Sequence, residues 1–359
     1  MCDTIVALKN STTTKSVLLA KSADTEVNEA EQIVKYSRKQ YNEGAAARIT
    51  HRKIPQARIT YETILGRSFW AWGSELGANE LGVAVGNEAA FSNQINQDDG
   101  VCCLDLCRIA AERSTNAKEA VEILGQLVEE FGQGGNTQMM GNFAFDSGLL
   151  VSDVSEAYVI NCAGKQWAAK KVNDVFAMSN RYQITDDWDF SSLKQNNGIK
   201  ENFNKLFEDA EKPDSVCATQ RENRAQKILE DRKGKISLLD MADIMRDLGE
   251  DGQNYEPDKA ELKQNFVCMH AKPHPDAFWG ATGAMITDSN EDGIIVWMTG
   301  TSANDLSIFK PLFFGIPLPE QLKYSPRGTY DPKSLWWKHE IIHRKAIMNY
   351  KVLKPEIRG

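Results

Sequence analysis

A cysteine follows the first methionine: the chain opens Met1-Cys2-Asp3-Thr4-Ile5-Val6-Ala7-Leu8, and an apolar, strand-like run starts at once. With Met1 removed, Cys2 carries a thiol and a free α-amine on one atom framework. An amine with an ordinary pKa of roughly 8 can take the thiol proton without any histidine, and the thiolate can then attack an amide carbonyl. The competing account is that a second-residue cysteine does no more than suit methionine removal.

A second arrangement points to different chemistry. His339-Glu340-Ile341-Ile342-His343 is an H-E-x-x-H pattern on a helical stretch, which puts two imidazoles on one face for zinc and leaves the glutamate as base. The continuation Arg344-Lys345-Ala346 lacks the glycine and third histidine of the extended motif, and the short tail offers Glu356 as third ligand. Leu335, Trp336, His339, Ile342, His343 and Ala346 also form one packing stripe. Cys268, His270 and His274 are a further candidate metal set, in a stretch stiffened by Pro273 and Pro275. Cys102, Cys103 and Cys107 share a helical pattern with Leu104, Leu106 and Ile109 and read as core thiols.

The 359 residues, 42% hydrophobic and 26% charged with net charge −8, describe a globular chain with a sizeable core. That charge argues against nucleic acid or an anionic membrane as partner, and the short basic run Arg48 to Lys53 does not overturn it. No apolar run has membrane-spanning length and no signal-peptide pattern opens the chain, so the cytoplasm is expected. Seven irregularly spaced cysteines fit reduced thiols.

The chemistry-bearing residues need a scaffold. Thr4 to Leu8 and Ser16 to Lys21 read as a hairpin with Cys2 at its open end. Further strands are expected at 82–86, 148–152, 157–161, 166–172, 175–179, 266–269, 281–287 and 294–299. Helices are expected at Val101 to Arg113, at Ala117 to Phe131 with Asn116 as cap and Gly132 as stop, and at Leu238 to Leu248. The polar stretch 186–261 reads as a helical insertion between two strand-rich halves, and a closing helix runs from Leu335 to Tyr350. Strands in two groups with paired helices predict a layered α+β architecture rather than alternating βαβ units.

Taken together, Cys2-Asp3-Thr4, Ala20-Lys21-Ser22-Ala23-Asp24, the run from Gly77 to Ala89, Gly132-Gln133-Gly134-Gly135, Met178-Ser179-Asn180-Arg181, Cys268-Met269-His270 and Trp297-Met298-Thr299-Gly300-Thr301 resemble the secernins and related cysteine dipeptidases of the N-terminal nucleophile superfamily. The resemblance implies a four-layer αββα fold over residues 1–325, with 326–359 as a helix packed on the same domain. It implies Cys2 as nucleophile, Asp24 as holder of the terminal amine, and Asn180 as a residue that fixes the amine or the oxyanion. Asn87 is a second amide donor. Lys21 stands where related amidases place an arginine near the thiol, and Lys21 with Arg181 would bind an anionic substrate group. Thr25 replaces the arginine that many secernins carry after the aspartate, and the amidases' second arginine has no assigned counterpart.

The expectation is thus a cysteine amidohydrolase acting on a dipeptide or other small amide, with no metal and no cofactor. A homo-oligomer is compatible with it. The alternatives are a secernin-like binding scaffold without turnover and, on His339, Glu340 and His343, a zinc metallopeptidase.

Overall fold

The computed structural model describes residues 1–94, 98–195, 197–261, 264–272 and 278–358. The first strand, Cys2–Ala7, pairs antiparallel with Val17–Glu26, which sets Cys2 opposite Ala23 and Thr4 opposite Lys21. Val175–Met178 flanks it on the other side. Trp279–Asn290, Gly293–Met298 and Lys310–Leu312 complete a six-stranded sheet beyond Val17–Glu26. A second sheet of eight strands runs from Glu31–Tyr36 through Thr63–Ser68, Leu76–Asn79, Ala84–Ala90, Asp146–Ser152, Ala157–Ala163 and Gln166–Lys171 to Phe190–Ser191.

Side chains alternate between the two faces of a strand, and here both faces of each sheet are covered. Val6, Leu19, Met178 and Met285 meet Ile64, Leu150 and Val159 of the other sheet in the central core. Ile5, Leu18, Ala20 and Ile286 instead pack under helices Ala218–Asp231 and Leu238–Met245. The outer face of the eight-stranded sheet, with Val85, Leu149 and Ile160, lies under helices Cys103–Arg113 and Ala117–Phe131. The layers are therefore helices, sheet, sheet, helices, the αββα sandwich. Double coverage is why the strands read as near-continuous apolar runs. Asn116 caps its helix by accepting from the Glu119 amide, and Gly132 ends it at φ 72°.

The polar 186–261 stretch is helical between the two strand-rich parts, and its helices 218–231 and 238–245 form the outer layer of the six-stranded sheet, while Phe190–Ser191 adds an edge strand to the other. Its polar composition reflects helices with one buried face. Three expectations need correction. Residues 266–269 form no strand; they are apolar because they are buried in a loop whose Cys268 amide donates to the Asp247 carbonyl. The closing helix breaks into Leu335–Ile347 and Tyr350–Arg358, and the break turns Tyr350 inward to Asp305. Its packed stripe is Trp336, Trp337, Glu340, His343 and Ala346, with Ile342 facing solvent. Trp336 docks the helix by donating from Nε1 to the Thr282 carbonyl at 2.9 Å. Among the described residues no helix is long and apolar enough to cross a membrane.

Glu31 is the acid on which the sandwich closes. Among the described residues neither carboxyl oxygen has a hydrogen-bond partner, and a Cβ on Gly283 of the opposite sheet would lie 2.2 Å from Oε1, so this contact requires glycine there. Burial, aided by Glu75, pushes its pKa up to about 8. A raised folded-state pKa means the protonated form is favoured by folding. Its contribution is therefore intact below the ordinary value of 4.5 and is lost as pH rises through about 8. Urea midpoints of wild type and Glu31→Gln should diverge between pH 5 and pH 9. Wild type should lose on the order of 3 kcal/mol relative to the variant; a constant difference would contradict the assignment.

Candidate active site

Cys2 sits at the open end of the first hairpin, where ladder pairing to Ala23 fixes its backbone. Its amide nitrogen donates to Asn180 Oδ1 at 2.9 Å, and the Met1 ammonium donates to the Asp24 carbonyl at 2.6 Å. Asn180 lies just beyond strand Val175–Met178, the neighbour of Cys2–Ala7, and its Nδ2 donates to the Ala89 carbonyl. One face of that amide thus meets the nitrogen of the nucleophilic residue and the other is spent on the second sheet. Asp24 Oδ1 accepts from Ser22 Oγ at 3.1 Å, while Oδ2 has no partner among the described residues.

Alternation along the first strand divides the surrounding charges. Asp3 points toward the helical layer, where it is paired with the fully buried Arg221. The same guanidinium donates to the Cys2 carbonyl at 3.2 Å and to Asn180 Oδ1 at 2.7 Å. Cys2 and Thr4 point between the sheets, toward Lys21. The Lys21 ammonium lies 4.0 Å from both Glu75 and Glu88, and Thr4 donates to Glu88. Gly86 makes room for this group: a Cβ there would lie 2.5 Å from Thr4 Oγ1 and 2.6 Å from Lys21 Cδ.

The electrostatics follow from burial. With Met1 in place the Cys2 thiol is pushed up to about 11 by loss of solvent, while Lys21 and the terminal ammonium pull it back. Burial likewise raises Asp24 to about 7, Glu75 to about 7 and Glu88 to about 8, with Lys21 opposing the rise. Lys21 itself stays charged, held above its ordinary value despite burial by Cys2 and the two glutamates.

A cleft of about 510 Å³ opens over these groups. Met1, Cys2, Asp24 and Asn87 line it. Both side-chain polar atoms of Asn87 are buried and without a partner among the described residues, so its amide is free to donate to an oxyanion. Apolar surface comes from aromatic side chains such as Phe143, Phe278 and Trp279.

A family model described as peptidase family C69 matches residues 1–217. The chain belongs to peptidase family C69. Among solved structures, a variant of the conjugated bile acid hydrolase from Clostridium perfringens is similar at TM-score 0.52 and 12% identity, over 92% of this chain and 98% of that one. A second mutant of the same hydrolase gives TM-score 0.50 at 11% identity, over 93% and 98%. These likenesses agree with the N-terminal nucleophile type of αββα sandwich.

Within this C69 peptidase, Cys2, Asp24 and Asn87 line one cleft and Asn180 is hydrogen-bonded to the Cys2 amide, whereas Lys21 and Arg181 do not line the cleft. Lys21 is fully buried behind the thiol. Arg181 is turned toward Glu208 and Glu222, 3.8 and 4.0 Å away, in a separate depression. Neither can meet substrate directly. Arg221 was missed, although its place was legible: it falls in line with Ala218, Ala225 and Leu229, a charge inside an otherwise apolar helical stripe.

The H-E-x-x-H residues are otherwise engaged. Glu340 accepts from Ser302, from His343 Nδ1 at 3.0 Å and from Arg344 Nε at 2.7 Å. His343 Nε2 faces His270 Nδ1 at 3.1 Å, while His339 Nε2 turns to Ser307 Oγ at 3.3 Å. The two imidazoles thus serve different partners and do not converge on one point. Cys268 and His270 do approach Asp305, at 3.3 and 3.1 Å, but that carboxylate also holds Tyr350 and, at 3.3 Å, Lys354. His274 lies outside the described residues. This network latches the closing helices to the body of the protein.

Removing one member of a buried ion pair strands the other. Arg221→Met should lower unfolding free energy by roughly 3–5 kcal/mol in urea titration. Adding Asp3→Asn should recover part of that loss; strictly additive losses would show that the pair is not coupled.

Proposed function

We propose that this C69 peptidase hydrolyses a short peptide or other small amide through the Cys2 thiol after loss of Met1. The observation that carries the reading is the direction of the Cys2 nitrogen: as a free amine in the same position it meets Asn180 Oδ1, a neutral acceptor that holds it without forcing it to stay protonated. The amine takes the thiol proton, and sulfur attacks the amide carbonyl carbon. The negative charge moves to the carbonyl oxygen, for which Asn87 Nδ2 is the free donor in the cleft. The proton then passes to the leaving nitrogen, the C–N bond breaks, and the acyl group remains as a thioester. Water adds with its proton taken by the same amine, and the thiol leaves.

Lys21 acts from behind, favouring the thiolate without touching substrate. Asp24 sits beside the terminus with one free carboxyl oxygen for the new ammonium. A conjugated bile acid is an anion, and the carboxylates along this cleft disfavour such a substrate. A binding scaffold without turnover is the competing account, and the state of Met1 separates the two.

Intact mass should show loss of one methionine, and an iodoacetamide probe should label Cys2 ahead of the six other buried thiols. Cys2→Ala should abolish cleavage of a panel of free dipeptides. Asn87→Ala should lower kcat by roughly 10²–10³ with the fold intact. Retention of Met1 in nearly all molecules, with an inert Cys2, would favour the scaffold.

A further inference from the structure

The charges along the cleft are unbalanced in a way the thioester mechanism does not use. Among the described residues, four carboxylate residues line it, Asp24, Glu26, Glu29 and Glu75, against one basic side chain, Lys212. Glu29 is already saturated: it accepts from Ser68 Oγ at 2.5 Å, from Trp70 Nε1 at 2.7 Å and from the Glu26 amide at 3.3 Å. Glu26 is only half satisfied. Its Oε2 accepts from the Met140 amide at 2.8 Å, while Oε1 is buried with no partner among the described residues. The Lys21 ammonium lies 4.0 Å from Glu75 but does not line the cleft.

A cation does sit among these groups in the unprocessed chain: the Met1 ammonium. It donates to the Asp24 carbonyl, and its charge favours the ionised form of Asp24, Glu26, Glu29 and Glu75 alike. Met1 is here the N-terminal residue of a peptide, with its α-ammonium among the acids and its carbonyl carbon bonded to the nitrogen of the nucleophilic residue. The atoms stand in for the N-terminal residue of an unblocked peptide. Removing Met1 shifts the chain's own amine along by one residue, to Asn180 Oδ1, and vacates this seat. A buried carboxylate oxygen without a donor then has every reason to recruit one.

We propose that the seat of the Met1 ammonium becomes the seat of the α-ammonium of the substrate's first residue, with Glu26 and Glu75 as its carboxylate acceptors and the Asp24 carbonyl as its third. This deepens the hydrolase reading and rests on it: the cleft selects peptides with a free N-terminus and rejects their N-acylated forms. The side chain of that first residue takes the volume of the Met1 side chain, which favours apolar first residues. A substrate ammonium two bonds from the scissile carbonyl carbon matches the spacing between the Met1 nitrogen and its own carbonyl.

The test compares methionyl-alanine with N-acetyl-methionyl-alanine. In kcat/KM, processed wild type should prefer the free dipeptide by roughly 10²-fold or more, as expected when a site built for a charged donor meets a substrate lacking it. Glu26→Gln and Glu75→Gln should each cut that ratio about tenfold or more, mainly through a raised KM for the free dipeptide. Binding to processed Cys2→Ala, read by calorimetry, asks the same question without turnover: the free dipeptide should bind and the acetylated one should not. Equal Cys2-dependent cleavage of both substrates would overturn the ammonium seat and leave the hydrolase reading standing. Absence of cleavage with selective binding of the free dipeptide would do the reverse, and equal or no binding to Cys2→Ala would overturn the seat. Unchanged ratios in both glutamine variants, with wild-type melting temperatures, would assign the selectivity to other residues.

Discussion

The end of a polypeptide frays unless something ties it down, and in this chain the tie is the guanidinium of Arg221. It is wholly buried, paired with Asp3 and hydrogen-bonded to both the Cys2 carbonyl and Asn180 Oδ1. Three structural parts therefore meet at one planar group: the first strand, the segment after strand Val175–Met178, and helix Ala218–Asp231. Arginine suits the place because its fork of donors is rigid and stays charged when desolvated. A lysine there would offer one point charge to three acceptors. The helical layer is thus more than a cover for the six-stranded sheet, because it carries the residue that makes the terminus a defined site.

The alternation of the first strand keeps two charge systems apart that would otherwise cancel. Asp3 and Arg221 neutralise each other on the helical side. Lys21 remains between the sheets with Glu75 and Glu88, both so raised by burial that they are only partly ionised near neutrality. Two glutamates sharing one lysine leave the cation less than fully quenched, which is what a thiolate next to it requires. Gly86 shows how tightly this is packed, since a single methyl there would collide with both Thr4 and Lys21. The same low-dielectric interior that strengthens the Lys21 field is what pushes Glu31 to stay protonated.

Much of this was legible in the residues. The hairpin with Cys2 at its open end, the capped helix ending at Gly132 and the two groups of strands all follow from local pattern, and the structure contains them. Cys2, Asp24, Asn180 and Asn87 were named from the family resemblance, and the structure places Cys2, Asp24 and Asn87 on one cleft with Asn180 bonded to the Cys2 amide. The cations were misplaced for a definite reason. A lysine on a strand declares its charge but not whether its face is a cleft wall or a sealed interior, so Lys21 read as a substrate contact when it lies behind the thiol. Arg181 follows Asn180 directly and so points away from it, toward Glu208 and Glu222. The H-E-x-x-H spacing is genuine, yet spacing on one helix cannot show that Glu340 already serves Ser302, His343 and Arg344.

The state of the terminus links these charge systems. With Met1 present its ammonium balances the acids of the cleft, and the thiol, buried and protonated, rests near a pKa of about 11. Loss of the residue opens the cleft above Cys2, creates a base one bond from the carbon that bears the thiol-carrying side chain, and withdraws the cation from Glu26 and Glu29. One cleavage therefore changes the nucleophile, the base and the charge of the cleft together. Glu26 is held by the Met140 amide and Glu29 by Ser68, Trp70 and the Glu26 amide, so these two acids keep their place when Met1 leaves. An acceptor array that is rigid but missing its donor is preorganised for a ligand that brings one, since little side-chain freedom remains to be lost on binding.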